Sequence, residues 1–430
     1  HGRRTGRPGV ARFHGVYYIR ARTVAVGRHE TAGAGGRRLW RVLRADGRGW
    51  VLLTVSVGWA LTIGARIVYP ALLPGVRADF GFGYATTGVL VGLVWASYGL
   101  LQFPGGLLAD LTDHRTALVS GVGLTALGIV AVAAAPTVAA FVLATAVMGA
   151  GTGIYGPSRV AVLSNTFSDH ESTAISISQA AGNVGNAVLP AVAGLLSAYA
   201  GWRLGFGFLT PLLVLVGVGL WIAVPVTTTE GEGVPVRSLL ARTWAALATR
   251  PVFSGTALLL LIMVVYQSLT GFLPTYLVDE TGLSPAAAST VYGGFFAAAV
   301  VMQLAAGLLA DRIGIRPTLA LFAGVSLPGF VVLIGADGRL ALLAGVVLLS
   351  GLLGCFPPAH AYTVGTVPEG VQGTGYGLIR TVYIGCGAAG PVLSGLVVDR
   401  VSFSAALAAL GVLVVGIAAL GLGLPALDAD

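Results

Sequence analysis

The sequence predicts an all-α polytopic membrane protein: twelve transmembrane helices in two pseudo-symmetric six-helix bundles. Three observations carry this expectation. Of 430 residues, 56% are hydrophobic and 10% charged, with a mean hydropathy of +0.87, whereas soluble domains carry about 25% charged residues. Apolar segments able to cross ~30 Å of hydrocarbon at ~1.5 Å per residue recur from Trp50 onward. The second half repeats the first at a fixed offset of 201 residues.

Residues 1–48 stand apart, with twelve Arg against only Glu30 and Asp46 and no helix-length apolar run. They are expected to be a disordered, Arg-rich cytoplasmic tail. A basic segment touching anionic headgroups and an upstream extension both remain open, since the chain opens at His1 and its first Met is Met148. The predicted spans are 50–70, 84–108, 116–135, 138–163, 173–199 and 204–224, forming a bundle over 49–224. A polar linker with Arg237, Arg242 and Arg250 occupies 225–250. A second bundle over 251–426 holds spans 252–277, 287–310, 317–336, 339–363, 372–397 and 403–424. An even number of crossings puts both termini on one side, and the Arg-rich tail and linker assign that side to the cytoplasm of a plasma membrane.

Composition also excludes. All 25 basic residues are Arg, so neither a phosphate-binding loop Lys nor a Schiff-base Lys is available. Cys355 and Cys386 form no CxxC pair, the six His show no metal-binding spacing, and no GxSxG elbow occurs. No cofactor, metal or nucleic-acid partner is expected; the expected partners are the bilayer, a small molecule and a coupling proton or ion, with the chain a monomer. The net charge of +8 belongs to the tail: residues 49–430 carry thirteen Arg against fifteen acids.

The repeat pairs QFPGGLLAD, ending at Asp110, with QLAAGLLAD, ending at Asp311. The same offset joins Gln102 to Gln303, Arg115 to Arg316, Pro157 to Pro358, Pro190 to Pro391 and Gly194 to Gly395. Repeated halves are typical of secondary transporters, whose sites lie near the midplane between them. GLLADLTDHR (106–115) and GLLADRIGIR (307–316) resemble the loop motif of the major facilitator superfamily, over roughly residues 50–424. The second copy fits well; in the first, Leu111 stands where the family prefers a basic residue and Asp113 where it prefers Gly. The resemblance implies a conformational latch built from Gly106, Asp110, Arg115, Gly307, Asp311, Arg312 and Arg316. Pro190 and Pro391, in segments similar to the family's Gly/Pro-rich fifth helix, read as gating or packing devices.

Charges inside spans are costly and usually functional. Arg66 and Arg380 fall inside apolar runs, Arg159 and His360 nearer the loop-motif ends, and no Asp or Glu is central. The offset matches Arg66 with Gln267, Arg159 with His360 and Gln179 with Arg380. The resemblance implies that helices one, four, seven and ten line the path, placing Arg66, Arg159, Gln267 and His360 there. Tyr155, Asn183, Asn186, Tyr266, Tyr376 and Tyr383 are close enough in sequence to add hydrogen bonds.

Arginine without a balancing carboxylate invites an anion, because a guanidinium presents a planar fork that matches carboxylate or phosphate oxygens. A first-helix Arg also resembles the organic-anion and sugar-phosphate permeases of the superfamily. Arg66 is the main candidate ligand and Arg380 the second, with Gln267, Arg159, His360, Gln179, Asn183 and Tyr266 around them. Arg66 pairing with polar atoms, Arg380 pairing with a loop carboxylate, Arg159 snorkelling or joining the Asp110 latch, and His360 acting as a proton carrier or packing inertly all stay open. The expected function is secondary transport of a small organic anion by alternating access. The alternatives are a drug or metabolite exporter and a membrane-embedded enzyme.

Overall fold

The computed structural model describes residues 48–226, 248–335, 338–368 and 372–426; the expected Arg-rich tail and most of the linker lie outside them. Helices α1 (Gly49–Phe80), α2 (Tyr84–Leu100) with α3 (Gln102–Leu111), α4 (His114–Ala134), α5 (Val138–Thr166), α6 (Glu171–Gly207) and α7 (Leu209–Ala223) make the first half. The second comprises α8 (Arg250–Asp279), α9 (Pro285–Ile313), α10 (Ile315–Gly335), α11 (Arg339–Leu349), α12 (Phe356–Thr366), α13 (Gln372–Gly387), α14 (Ala389–Arg400) and α15 (Phe403–Leu422). Among the described residues, eleven helical runs are long and apolar enough to cross a membrane. The longest, Ser168–Ala223, has 56 residues and breaks at Ala200 and Gly201, where Gly201 takes φ 81°. Its two parts, 171–199 and 202–223, would each reach ~30 Å or more at ~1.5 Å per residue, so the run makes two crossings and the twelve-span expectation holds.

Prolines shape these helices in ways the sequence reading did not anticipate. A Pro cannot donate to the carbonyl four residues earlier, and in hydrocarbon that carbonyl needs another partner. Pro157 in α5 frees the Gly153 carbonyl, which accepts from Gln102 Nε2 at 3.3 Å. Pro274 in α8 frees the Thr270 carbonyl, which accepts from the Tyr292 hydroxyl at 2.7 Å. Helix α1 runs ten residues beyond its expected end at 70, through Pro70 and Pro74, so the carbonyl released by Pro70 belongs to Arg66. The tenth crossing tightens into a 3₁₀ turn at Ser350–Cys355, directly before Pro357 and Pro358.

The halves meet along two related seams. Gly395 in α14 lies against the Tyr84 carbonyl at the start of α2, and its repeat partner Gly194 in α6 lies against Ser289 in α9. A β-carbon at either position would collide with its neighbour, so Gly194 and Gly395 mark points where a helix backbone packs closely against the opposite half.

Hydrogen bonds between the halves gather at the end opposite the loop motif. Arg77 pairs with Asp279, whose carboxylate also accepts from the Tyr84 hydroxyl at 3.0 Å. The N-cap of α2 is Gly83, which has no side chain to offer. Asp399 supplies the cap instead, accepting from Tyr84 N–H at 2.8 Å and Ala85 N–H at 2.6 Å. A carboxylate from one half thus satisfies orphan donors at the positive end of a helix in the other. Among the described residues, one further cross-half hydrogen bond exists, from Arg380 to Tyr98 at 3.1 Å.

Gln102→Leu should lower stability by about 1–3 kcal/mol by orphaning the Gly153 carbonyl. The loss should shrink in a Pro157→Ala background, where the helix can make its own bond; thermal melts of the four proteins of this cycle in detergent measure it. Asp399→Ala should cost about 0.5–2 kcal/mol through the lost cap, and Asp399→Asn less, by the same melts.

Candidate functional site: a central cationic cavity

A cavity of about 400 Å³ lies between the halves, lined by both. Arg66 reaches it from the middle of α1 and is 3% exposed. Its guanidinium carbon sits 3.6 Å from the Tyr98 ring centroid and 5.0 Å from that of Trp95, and its Nε has no partner. Such stacking places a cation against the negative face of the ring. Arg159, 6% exposed on α5, lies 4.3 Å from the Trp59 ring centroid and donates to Ser178 Oγ at 3.0 Å. Arg380 on α13 donates to Tyr98 Oη at 3.1 Å while its Nε is unpartnered. His360, in the first turns of α12, stacks on Phe356 and lies 3.2 Å from the Tyr383 hydroxyl through Nε2.

Gln179, Asn183 and Tyr266 also line the cavity, as does Asn186 with its buried Oδ1 unpartnered. Gln267 does not line it: wholly buried, it donates to the Ile384 carbonyl at 3.1 Å and ties α8 to α13 behind the wall. No Asp or Glu lines the cavity among the described residues. Sequence reasoning passed over Trp59, Trp95 and Tyr98. The spacing 95, 98, 102 runs along one face of a helix, with Gln102 already in the repeat; that stripe was the available signal.

The loop-motif residues lie away from the cavity. Asp311, Arg312 and Arg316 are exposed; the Arg115 guanidinium lies 4.0 Å from the Trp221 ring centroid, and the Asp110 side chain lies outside the described residues. Asp113 caps α4, accepting from Thr116 N–H at 2.9 Å and Thr116 Oγ1 at 2.7 Å. Partial burial works to raise its carboxyl, but the Thr116 hydrogen bonds win and hold it below the usual carboxylate range. Pro190 is buried within α6, and Pro391 lies in the first turn of α14, where its carbonyl faces Gly88.

Two repeated helical halves surround a polar chamber and are held together at one end, the architecture of a membrane-carrier fold. The chain belongs to the Major Facilitator Superfamily, which it matches over residues 51–383 and 269–428; that family comprises membrane transporters and not enzymes. It is similar to a probable hexose phosphate transport protein of Chlamydia muridarum, 26% identical over 42% of this chain but only 38% of that protein. The chain therefore matches well under half the length of that relative. The fosmidomycin resistance protein of Escherichia coli is 25% identical over 82% of this chain and 87% of its own. Among solved structures, a bacterial homologue of the human lysosomal transporter Spinster superposes with a TM-score of 0.74 at 15% identity, covering 88% of this chain and 96% of that one.

Proposed function

We propose that the protein carries a small organic anion across the plasma membrane by alternating access, with both termini cytoplasmic. One observation carries the reading: Arg66, Arg159 and Arg380 converge on a single cavity with no lining carboxylate among the described residues. Unpaired guanidinium groups in a low-dielectric chamber are costly, and a carboxylate or phosphate ester matches their fork. Arg66 and Arg380 take the oxyanion, Gln179 and Asn183 accept or donate around it, and Ile63, Met263 and Phe296 face the carbon skeleton. The name of the Chlamydia relative, a hexose phosphate transport protein, agrees with an anionic ligand. The Arg-rich tail and linker support the cytoplasmic assignment for the loop-motif end. The Arg77–Asp279 pair and the Asp399 cap on the Tyr84 and Ala85 N–H groups then close the outward end, and opening it requires breaking them.

Export is the second reading, favoured by the broad match to a fosmidomycin resistance protein. The direction of net movement in oriented vesicles separates the two.

In proteoliposomes, labelled glucose 6-phosphate, inorganic phosphate, monocarboxylates and dicarboxylates should include at least one transported anion. Arg66→Gln should reduce its flux about 10-fold or more, the scale of one charged hydrogen bond. Stabilisation by hydrophobic cations alone, or an Arg66→Gln variant that transports normally, overturns the anion reading.

A further inference from the structure

Every cation in the cavity must be satisfied when no ligand is present, because a carrier performing net transport has to reorient empty. Arg159 has Ser178 and the face of Trp59. Arg66 and Arg380, the two proposed anion ligands, share a single residue: Arg66 lies over the ring of Tyr98, and Arg380 donates to its hydroxyl. All three guanidinium groups retain an unpartnered Nε.

Tyr98 belongs to α2 in the first half and Arg380 to α13 in the second, so their hydrogen bond bridges the surfaces that must separate and rejoin. It is the one cross-half hydrogen bond among the described residues that lies away from the closed end. The feature is not a by-product of the internal repeat, since 201 residues after Tyr98 stands Ala299, which also lines the cavity.

We infer that the Tyr98 hydroxyl stands in for the ligand's oxyanion: it satisfies Arg380 in the empty cavity, yields that place to an arriving anion, and so lets the ligand-free carrier reorient. The inference rests on the anion reading above. A phenol oxygen accepts as well as donates, but a neutral acceptor holds a guanidinium less strongly than a carboxylate or phosphate oxyanion, which adds the opposite charge and a bidentate fit. The exchange therefore runs toward the ligand when one is present and reverses when it leaves. The protein is thereby suited to net transport, whereas without Tyr98 it would be confined to exchange, because the cavity could rearrange only when an anion satisfied Arg380.

Tyr98→Phe tests this, since it keeps the ring under Arg66 and removes the hydroxyl that accepts from Arg380. The probe is inorganic phosphate, in thermal-shift titrations and in proteoliposomes preloaded with phosphate or left empty. The variant should melt below the parent when empty, the gap should close at saturating phosphate, and half-saturation should come at roughly 3- to 10-fold lower phosphate, the scale of one competing hydrogen bond removed. Uptake into empty vesicles should fall about 10-fold or more while phosphate-for-phosphate exchange is retained. Equal or weaker phosphate binding in the variant, a melting gap that phosphate does not close, or parallel loss of uptake and exchange overturns the inference and leaves the anion cavity standing. Failure of phosphate to bind either protein removes the phosphate-binding cavity and this inference together.

Discussion

A backbone carbonyl released inside hydrocarbon has no water to accept from, and this scarcity of partners organises the molecule. Helices solve it by default, yet a carrier needs helices that bend, and each internal Pro releases a carbonyl. The Gly153 carbonyl is taken up by Gln102 and the Thr270 carbonyl by Tyr292. Both partners come from a neighbouring crossing, so each bend is also a contact between helices. The same scarcity governs charge. Three guanidinium groups remain in the chamber because aromatic faces, Ser178 and the Tyr98 hydroxyl surround them.

The repeat supplies the frame, and its departures supply the chemistry. Gly194 and Gly395 play the same part in the two halves, each holding a helix against the opposite half. Arg159 and His360, and likewise Gln179 and Arg380, line the cavity at matching positions with different functional groups. Tyr98 and Ala299 differ most, one closing a hydrogen bond across the boundary and the other leaving space. A symmetric chamber would present the same groups from both sides; this one sets its cations unevenly and so can orient a ligand.

Much of this was legible in the order of residues. Span lengths, the two halves and the placement of Arg66 and Arg380 followed from hydropathy and the 201-residue offset. Aromatic residues in apolar runs read as core unless their spacing is followed along one helix face to a polar residue such as Gln102, so Trp59, Trp95 and Tyr98 were missed. Gln267 was assigned with Arg66 by symmetry, but its amide bonds the Ile384 carbonyl behind the wall: an offset fixes the turn of helix a residue occupies and leaves open a rotation about the axis. Helix α1 continues past its expected end at 70, through Pro70 and Pro74, because packing of the whole helix decides where it stops.

The glycine seams bear on motion as well as on packing. Where Gly395 meets the Tyr84 carbonyl, and Gly88 and Gly92 meet the carbonyls of Pro391 and Ala388, the two halves approach through backbone, with the short side chains of Val91 and Val392 set against the facing glycines Gly271 and Gly92. Such close backbone surfaces suit weak Cα–H···O contacts and present only small knobs to be lifted from holes for one half to slide on the other. They act as a smooth bearing, and the directional grip comes from the Arg77, Asp279 and Asp399 cluster at one end. Rigidity and mobility are thereby assigned to different atoms: a few carboxylates hold the position, and bare backbone lets it change.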